Sequence, residues 1–304
     1  MSDKLTALAE RCHLCPRECG INRLQGETGF CGAGNQMLVS YIGLHHGEEP
    51  PISGNHGSGT VFFGYCTMAC EFCQNWQISQ AHENLKPFSP VELARELLRL
   101  QNDGAHNINL VSPTQYAPWI AETVRLAKAD GLKIPVVYNT NGYERIEVLE
   151  LLNETVDIYL PDMKYATDVF AEKYSHTPNY TKHNRLAVDF MFKQKGLLQI
   201  KNDLAIRGII VRHLVLPDLS AESKEILTYL HGLSAQMYIS LMSQYAPQHC
   251  AKDIPALNRR LSAEEYNEVV EHAAALDMEN IWTQELDSQD IFVPDFGTEK
   301  PFKR

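Results

Sequence analysis

A chain of 304 residues with 44% apolar side chains is long enough for one large domain or two small ones and can bury a substantial core. Its net charge of −11 excludes a general nucleic-acid or anionic-membrane surface, because phosphate backbones and acidic lipids repel such a face. Met1–Glu10 has no apolar stretch of signal-peptide length, and no run approaches the roughly 20 apolar residues of a membrane span, so a soluble, cytoplasmic protein is expected. In that reducing compartment the eight cysteines read as metal or cluster ligands before disulfides.

Residues 1–59 read as a separate metal-binding segment and linker. A short helix at Asp3–Glu10 leads into Cys12, Cys15, Cys19 and Cys31, spaced C-x2-C-x3-C-x11-C, which suffices for a complete zinc or Fe–S site. Gly20, Gly26, Gly29, Gly32 and Gly34 supply the turns a small metal knuckle needs. His45, His46 and His56 follow and read as surface residues. Gly47–Gly59, with Pro50 and Pro51, reads as a loop or hinge.

The pattern changes at Val61–Phe63, the first expected strand. Directly after it, Gly64–Trp76 places Cys66, Cys70 and Cys73 in a C-x3-C-x2-C pattern, close enough for three thiolates to meet one face of a four-iron, four-sulfur cube. A cube needs four ligands and the loop offers three, so one iron is open to a ligand that is not protein. A structural zinc knuckle is the competing reading, but zinc favours C-x2-C pairs and four protein ligands.

Ser89, Pro90 and Glu92 form an N-cap, N1 proline and capping box for a helix to about Asn102, which Gly104 stops. Asn107–Val111 is strand two, Pro118–Ala129 a helix, Val136–Tyr138 strand three, Glu144–Leu152 a helix and Val156–Leu160 strand four. Helices follow at about Thr167–Tyr174 and within Thr181–Lys195. Ile209–Val215 is strand five, Ala221–Leu233 a helix, Met237–Met242 strand six and Ser262–Leu276 a helix. Six β-α units in succession give a parallel sheet with right-handed crossovers, curled into an open barrel or doubly wound. Both put the chemistry at the carboxyl ends of the strands. There the chain places Ser112 and Thr114, Asn139 and Asn141, Asp162 and Lys164, Arg212 and His213, and Ser243 and Gln244.

With Phe72 in its aromatic slot, the Cys66–Cys73 motif resembles the signature of the radical S-adenosylmethionine (SAM) superfamily, and the chain is most similar to the pyruvate formate-lyase activating enzyme group. The resemblance covers roughly residues 60–285. It implies an α/β fold, a partial (β/α)6 TIM-like barrel with a small N-terminal cysteine-rich extension, and leaves 286–304 as a C-terminal tail. It implies a 4Fe–4S cluster on Cys66, Cys70 and Cys73 with SAM on the open iron, and a cofactor contact from Asp162-Met163-Lys164. Ser112-Pro113-Thr114 stands where the family has Gly-Gly-Glu for the SAM amino group. With these, Asn139, Asn141 and His213 complete the expected cofactor-binding set. The implied activity is reductive cleavage of SAM to a 5′-deoxyadenosyl radical and hydrogen abstraction from a glycine of a partner protein, a glycyl radical enzyme. A flavodoxin- or ferredoxin-type donor would supply the electron. The alternative is modification of a small metabolite or peptide, which the four extra cysteines favour and which expects a closed polar pocket in place of an open groove.

Overall fold

The computed structural model describes residues 3–291 and 293–302. Residues 1, 2, 292, 303 and 304, at the extremes of the expected extension and within the expected tail, lie outside the described residues.

In chain order the elements are α1 (Asp3–Glu10), β1 (Met37–His45), α2 (Pro50–Ser53), β2 (Ser58–Phe63), α3 (Trp76–Ser79), β3 (Lys86–Phe88), α4 (Pro90–Asn102), β4 (Ile108–Val111) and α5 (Ala117–Ala129). There follow β5 (Val136–Thr140), α6 (Ile146–Leu151), β6 (Ile158–Pro161), α7 (Asp168–Ser175), α8 (Tyr180–Lys195), β7 (Gln199–Lys201), β8 (Leu204–Leu214), α9 (Ser220–Leu233), β9 (Tyr238–Met242), α10 (Ala263–Ala275), β10 (Ile281–Thr283) and α11 (Ser288–Ile291). The strands are ordered β10-β9-β8-β6-β5-β4-β2-β1-β3, and β3 and β10 are its unpaired ends among the described residues. From β2 to β10 every neighbour is parallel, as the β-α alternation requires. β1 runs antiparallel to β2 and β3 antiparallel to β1, while β7 forms a hairpin on β8. The result is an α/β partial barrel whose sheet does not close.

The six expected strands and the helices between them are present, with α4 starting at the expected Ser89 capping box. β1, β3, β7 and β10 were not expected. The stretch read as a loop or hinge, Gly47–Gly59, is corrected: Pro50 and Pro51 open the single turn α2, and β2 begins at Ser58. A proline at N1 loses nothing, because that N–H has no helical partner.

Alternation along each strand divides the core in two. Outward residues such as Val61, Phe63, Leu110 and Val136 meet α4 and α5, and Tyr138, Tyr159, Val211 and Ile239 meet α6, α8 and α9. Inward residues Val137, Ile158, Leu160 and Ile210 pack round Ile52 of α2, which is fully buried. The β1–β2 connection thus turns into the barrel and fills its floor. The chamber above the floor opens at the carboxyl ends of the strands.

Candidate active site

The loop after β2 is fixed at several points by backbone groups. Tyr65 N donates to Ile78 O at 3.0 Å, Glu71 N to Tyr174 O at 2.9 Å, and Cys73 N to Cys70 O at 3.1 Å. Gln115, 2% exposed, gives its amide to the carbonyls of Gly64, Tyr65 and Ser112 at 2.9, 3.1 and 2.8 Å. Phe72 is buried and meets Tyr245 edge-on. It anchors the loop, which explains an aromatic residue beside Cys73.

Cys66, Cys70 and Cys73 all line one cavity of about 1200 Å³ in the mouth of the barrel. Each sulfur has a polar neighbour: Asn141 Nδ2 donates to Cys66 Sγ at 3.3 Å, Ser175 Oγ donates to Cys70 Sγ at 3.0 Å, and Ser79 Oγ lies 3.4 Å from Cys73 Sγ. Burial raises all three thiol pKa values, that of Cys70 to about 12, so the free groups are protonated and a metal must displace the protons to bind. Three sulfurs on one loop, that of Cys70 buried and those of Cys66 and Cys73 half-buried, with polar neighbours and a cavity beside them, fit a cluster held on three corners.

Ser112, Asn139, Asn141, Asp162 and Lys164 line the same cavity. Two helix residues set the ends of β5 and β6. Tyr180 Oη donates to Asn141 O at 3.0 Å and accepts from Lys164 N at 3.1 Å, while Asn184 Nδ2 donates to Asp162 O at 2.8 Å. Lys164 Nζ meets Asp162 Oδ2 at 2.6 Å. Burial lowers the lysine pKa most, but Asp162, Cys70 and Tyr180 together raise it more and the net shift is upward, so the ammonium persists at the cavity wall.

Two expected cofactor residues stand outside that cavity. Thr114 is buried against the Thr140 hydroxyl and the Glu144 carboxyl. His213 is 2% exposed, with Nδ1 2.6 Å from Met163 O and Nε2 2.8 Å from Ser223 Oγ. The reason is parity. On β8, Arg212 and Leu214 face the chamber, so His213 between them faces α9. Burial lowers its pKa to about 4 and keeps it neutral.

Arg212, placed at the strand ends by the sequence but left out of the expected cofactor-binding set, is the inward residue. Its Nε lies 2.7 Å from Glu49 and a terminal nitrogen 2.8 Å from Glu48, whose other oxygen accepts from Asn109 Nδ2 at 2.9 Å. These bonds cross the barrel between the β1–α2 connection and β8. The expected tail is also structured. Phe296 is buried, Asn84 Nδ2 donates to its carbonyl at 2.8 Å, and Phe302 packs on Tyr41, His45 and Phe62. Pro294, Lys300 and Phe302 thereby form a cavity wall, joined by His45 and His46. Cys12, Cys15, Cys19 and Cys31 line a second, smaller cavity behind the cluster loop. No helix among the described residues is long and apolar enough to cross a membrane.

The radical SAM superfamily model matches residues 60–229, from β2 to α9. The uncharacterized protein MJ0674 of Methanocaldococcus jannaschii is 32% identical over 282 residues, covering 90% of this chain and 77% of its own. A second uncharacterized protein of that organism, MJ0808, is 28% identical over 55% of this chain and 53% of its own. Among solved structures, the FeFe-hydrogenase maturase HydG of Carboxydothermus hydrogenoformans superposes with a TM-score of 0.50 at 14% identity, over 74% of this chain and 53% of that one. This chain spans about half the length of that enzyme, and the likeness is one of fold.

Proposed function

The chain belongs to the radical SAM superfamily, and on that premise we propose that it abstracts a hydrogen atom from a small metabolite or short peptide bound beside SAM in the barrel mouth. The observation that carries this reading is the walled cavity. Its volume of about 1200 Å³ exceeds the roughly 300–1,000 Å³ of most ligand sites, leaving room for a second molecule beside the cofactor. Its floor is filled by Ile52 and the Glu48–Glu49–Arg212 bridge, and its side is covered by Pro294, Lys300 and Phe302. The wall narrows the approach for a loop of a glycyl-radical partner on that side, and the spare volume supports the small-substrate reading.

A 4Fe–4S cluster with SAM, when bound, supplies one-electron cleavage of the sulfonium to methionine and a 5′-deoxyadenosyl radical. Cys66, Cys70 and Cys73 would hold the cluster. Asn141 and Ser175, donating to Cys66 and Cys70, would relieve charge on the sulfurs and raise the reduction potential. Asp162, Lys164, Ser112 and Asn139 would orient SAM: a carboxylate for its amino group, an ammonium for its carboxylate, and two neutral groups for its hydroxyls. The aromatic wall of Tyr41, Phe62 and Phe302 would shield the reacting atoms from water on that side. The electron would come from a flavodoxin- or ferredoxin-type donor in a reducing cytoplasm.

The test is SAM cleavage by the reduced protein, anaerobically, with separate small-molecule and protein fractions of a cell extract. Faster 5′-deoxyadenosine release with the small-molecule fraction supports the proposal. Stimulation by the protein fraction alone, with a glycyl radical signal on a partner, would return the activating-enzyme reading.

A further inference from the structure

The N-terminal segment brings four cysteines separated by up to nineteen positions onto one recess. Backbone bonds fold it: Cys12 N donates to Ile21 O at 2.7 Å, Gly20 N to Cys12 O at 3.1 Å and Gly32 N to Gly29 O at 3.0 Å. Cys12, Cys15, Cys19 and Cys31 share the recess with Arg17, Arg23, Thr67 and Gln115. Its free volume is about 10 Å³, room for roughly one water-sized atom and too little for a cube.

The charge around the thiols points to a ligand. Arg23, 1% exposed, donates to the carbonyls of Gly34 at 2.9 Å and Gln115 at 3.1 Å and lies 5.4 Å from the centre of the Trp119 ring. Arg17 donates to the carbonyls of Thr67 and His176, both at 2.7 Å, and packs 3.2 Å from the centre of the Phe30 ring. Among the described residues neither arginine has a carboxylate within ion-pair distance. A buried cation without a counter-charge is costly, so Arg23, with the half-buried Arg17 beside it, favours a net charge of about two negative on the four thiols. One divalent ion held by four thiolates carries that net charge.

We propose that Cys12, Cys15, Cys19 and Cys31 bind a single zinc ion as a tetrathiolate centre, neutralised by Arg17 and Arg23, which braces the cluster loop from behind. Among the described residues no three Cys, His, Asp or Glu side chains already stand round one ion, and zinc binding therefore requires the four thiols to turn inward and lose their protons. The brace is Arg17, whose bond to the Thr67 carbonyl joins the knuckle to the residue after Cys66. Only the bracing rests on the cluster reading of that loop.

The test uses the full-length chain with Cys66→Ala, Cys70→Ala and Cys73→Ala, so that the N-terminal four are the thiols grouped on one site. Zinc absorption spectroscopy is expected to give one zinc per chain with four sulfur neighbours at about 2.3 Å. Adding Cys12→Ser and Cys15→Ser should remove it. The same spectrum on wild-type protein purified without iron reconstitution guards against a triple variant that does not fold. Zinc with nitrogen or oxygen neighbours, no bound zinc, or iron with sulfide at these cysteines would each overturn the proposal. Absence of SAM cleavage by a wild type that keeps its zinc would sink the proposed function and leave this site standing.

Discussion

Replacing Arg212 by Met tests whether the floor of the chamber is held by charge pairing. The guanidinium lies 2.7 Å from Glu49 and 2.8 Å from Glu48, and the two carboxylate side chains are 3% and 5% exposed. Arg212→Met removes the cation that contacts both, and breaking a buried pair in this way costs about 3–5 kcal/mol. That is a large part of the roughly 5–15 kcal/mol that holds a domain together. Urea unfolding of the metal-free protein should show a lowered midpoint with an unchanged slope. The deficit should shrink as the pH falls, because unpaired buried carboxyls take up protons and shed the charge that makes them costly. Glu48→Gln and Glu49→Gln added to Arg212→Met should recover most of the loss, since removing a whole buried network is often near neutral. A loss under about 1 kcal/mol, or no recovery in the triple variant, would refute the reasoning on which the bridge matters.

Three further outcomes follow from the site. His213 is held near a pKa of about 4, against 6.5 when unfolded, so it contributes stability above pH 6.5 that is lost as the pH falls toward 4, amounting to about 3 kcal/mol; the stability difference between wild type and His213→Gln should narrow over that range, and a constant difference would contradict it. Asp162→Ala should weaken SAM binding about tenfold or more, as loss of a hydrogen bond to a charged group does, with iron content intact; unchanged affinity would assign the Asp162–Lys164 pair to structure. Gly142 has φ +75°, and a Cβ there would sit 2.1 Å from Asn184 Nδ2 and 2.4 Å from the Asp162 carbonyl. Gly142→Ala should therefore cost about 1–3 kcal/mol and reduce cluster retention by displacing Asn141, both measurable on one preparation; wild-type iron content and stability would contradict it.

The parallel core was legible because local signals agreed with the tertiary outcome. The Ser89 box does start α4, and the apolar runs at Ile108, Val136 and Ile158 do pair as neighbours. β1 was not legible. Its run through Gly43 to His45 has weak strand character and is ordered by pairing with β2 and β3. The site was read by position at the strand ends without parity, which selected His213 where Arg212 faces the chamber. Glu48 and Glu49 lie more than 160 residues before their partner, and no local pattern links them to it. The C-terminal stretch has no periodicity, and its place comes from Phe296 and Phe302 fitting aromatic side chains of β1 and β2.

The central claim is that Cys66, Cys70 and Cys73 hold a cluster that cleaves SAM. Its most direct measurement is anaerobic release of 5′-deoxyadenosine by the reduced, iron-reconstituted protein and by Cys70→Ala. The account predicts release by the wild type and none by the variant. Equal release by both would contradict it.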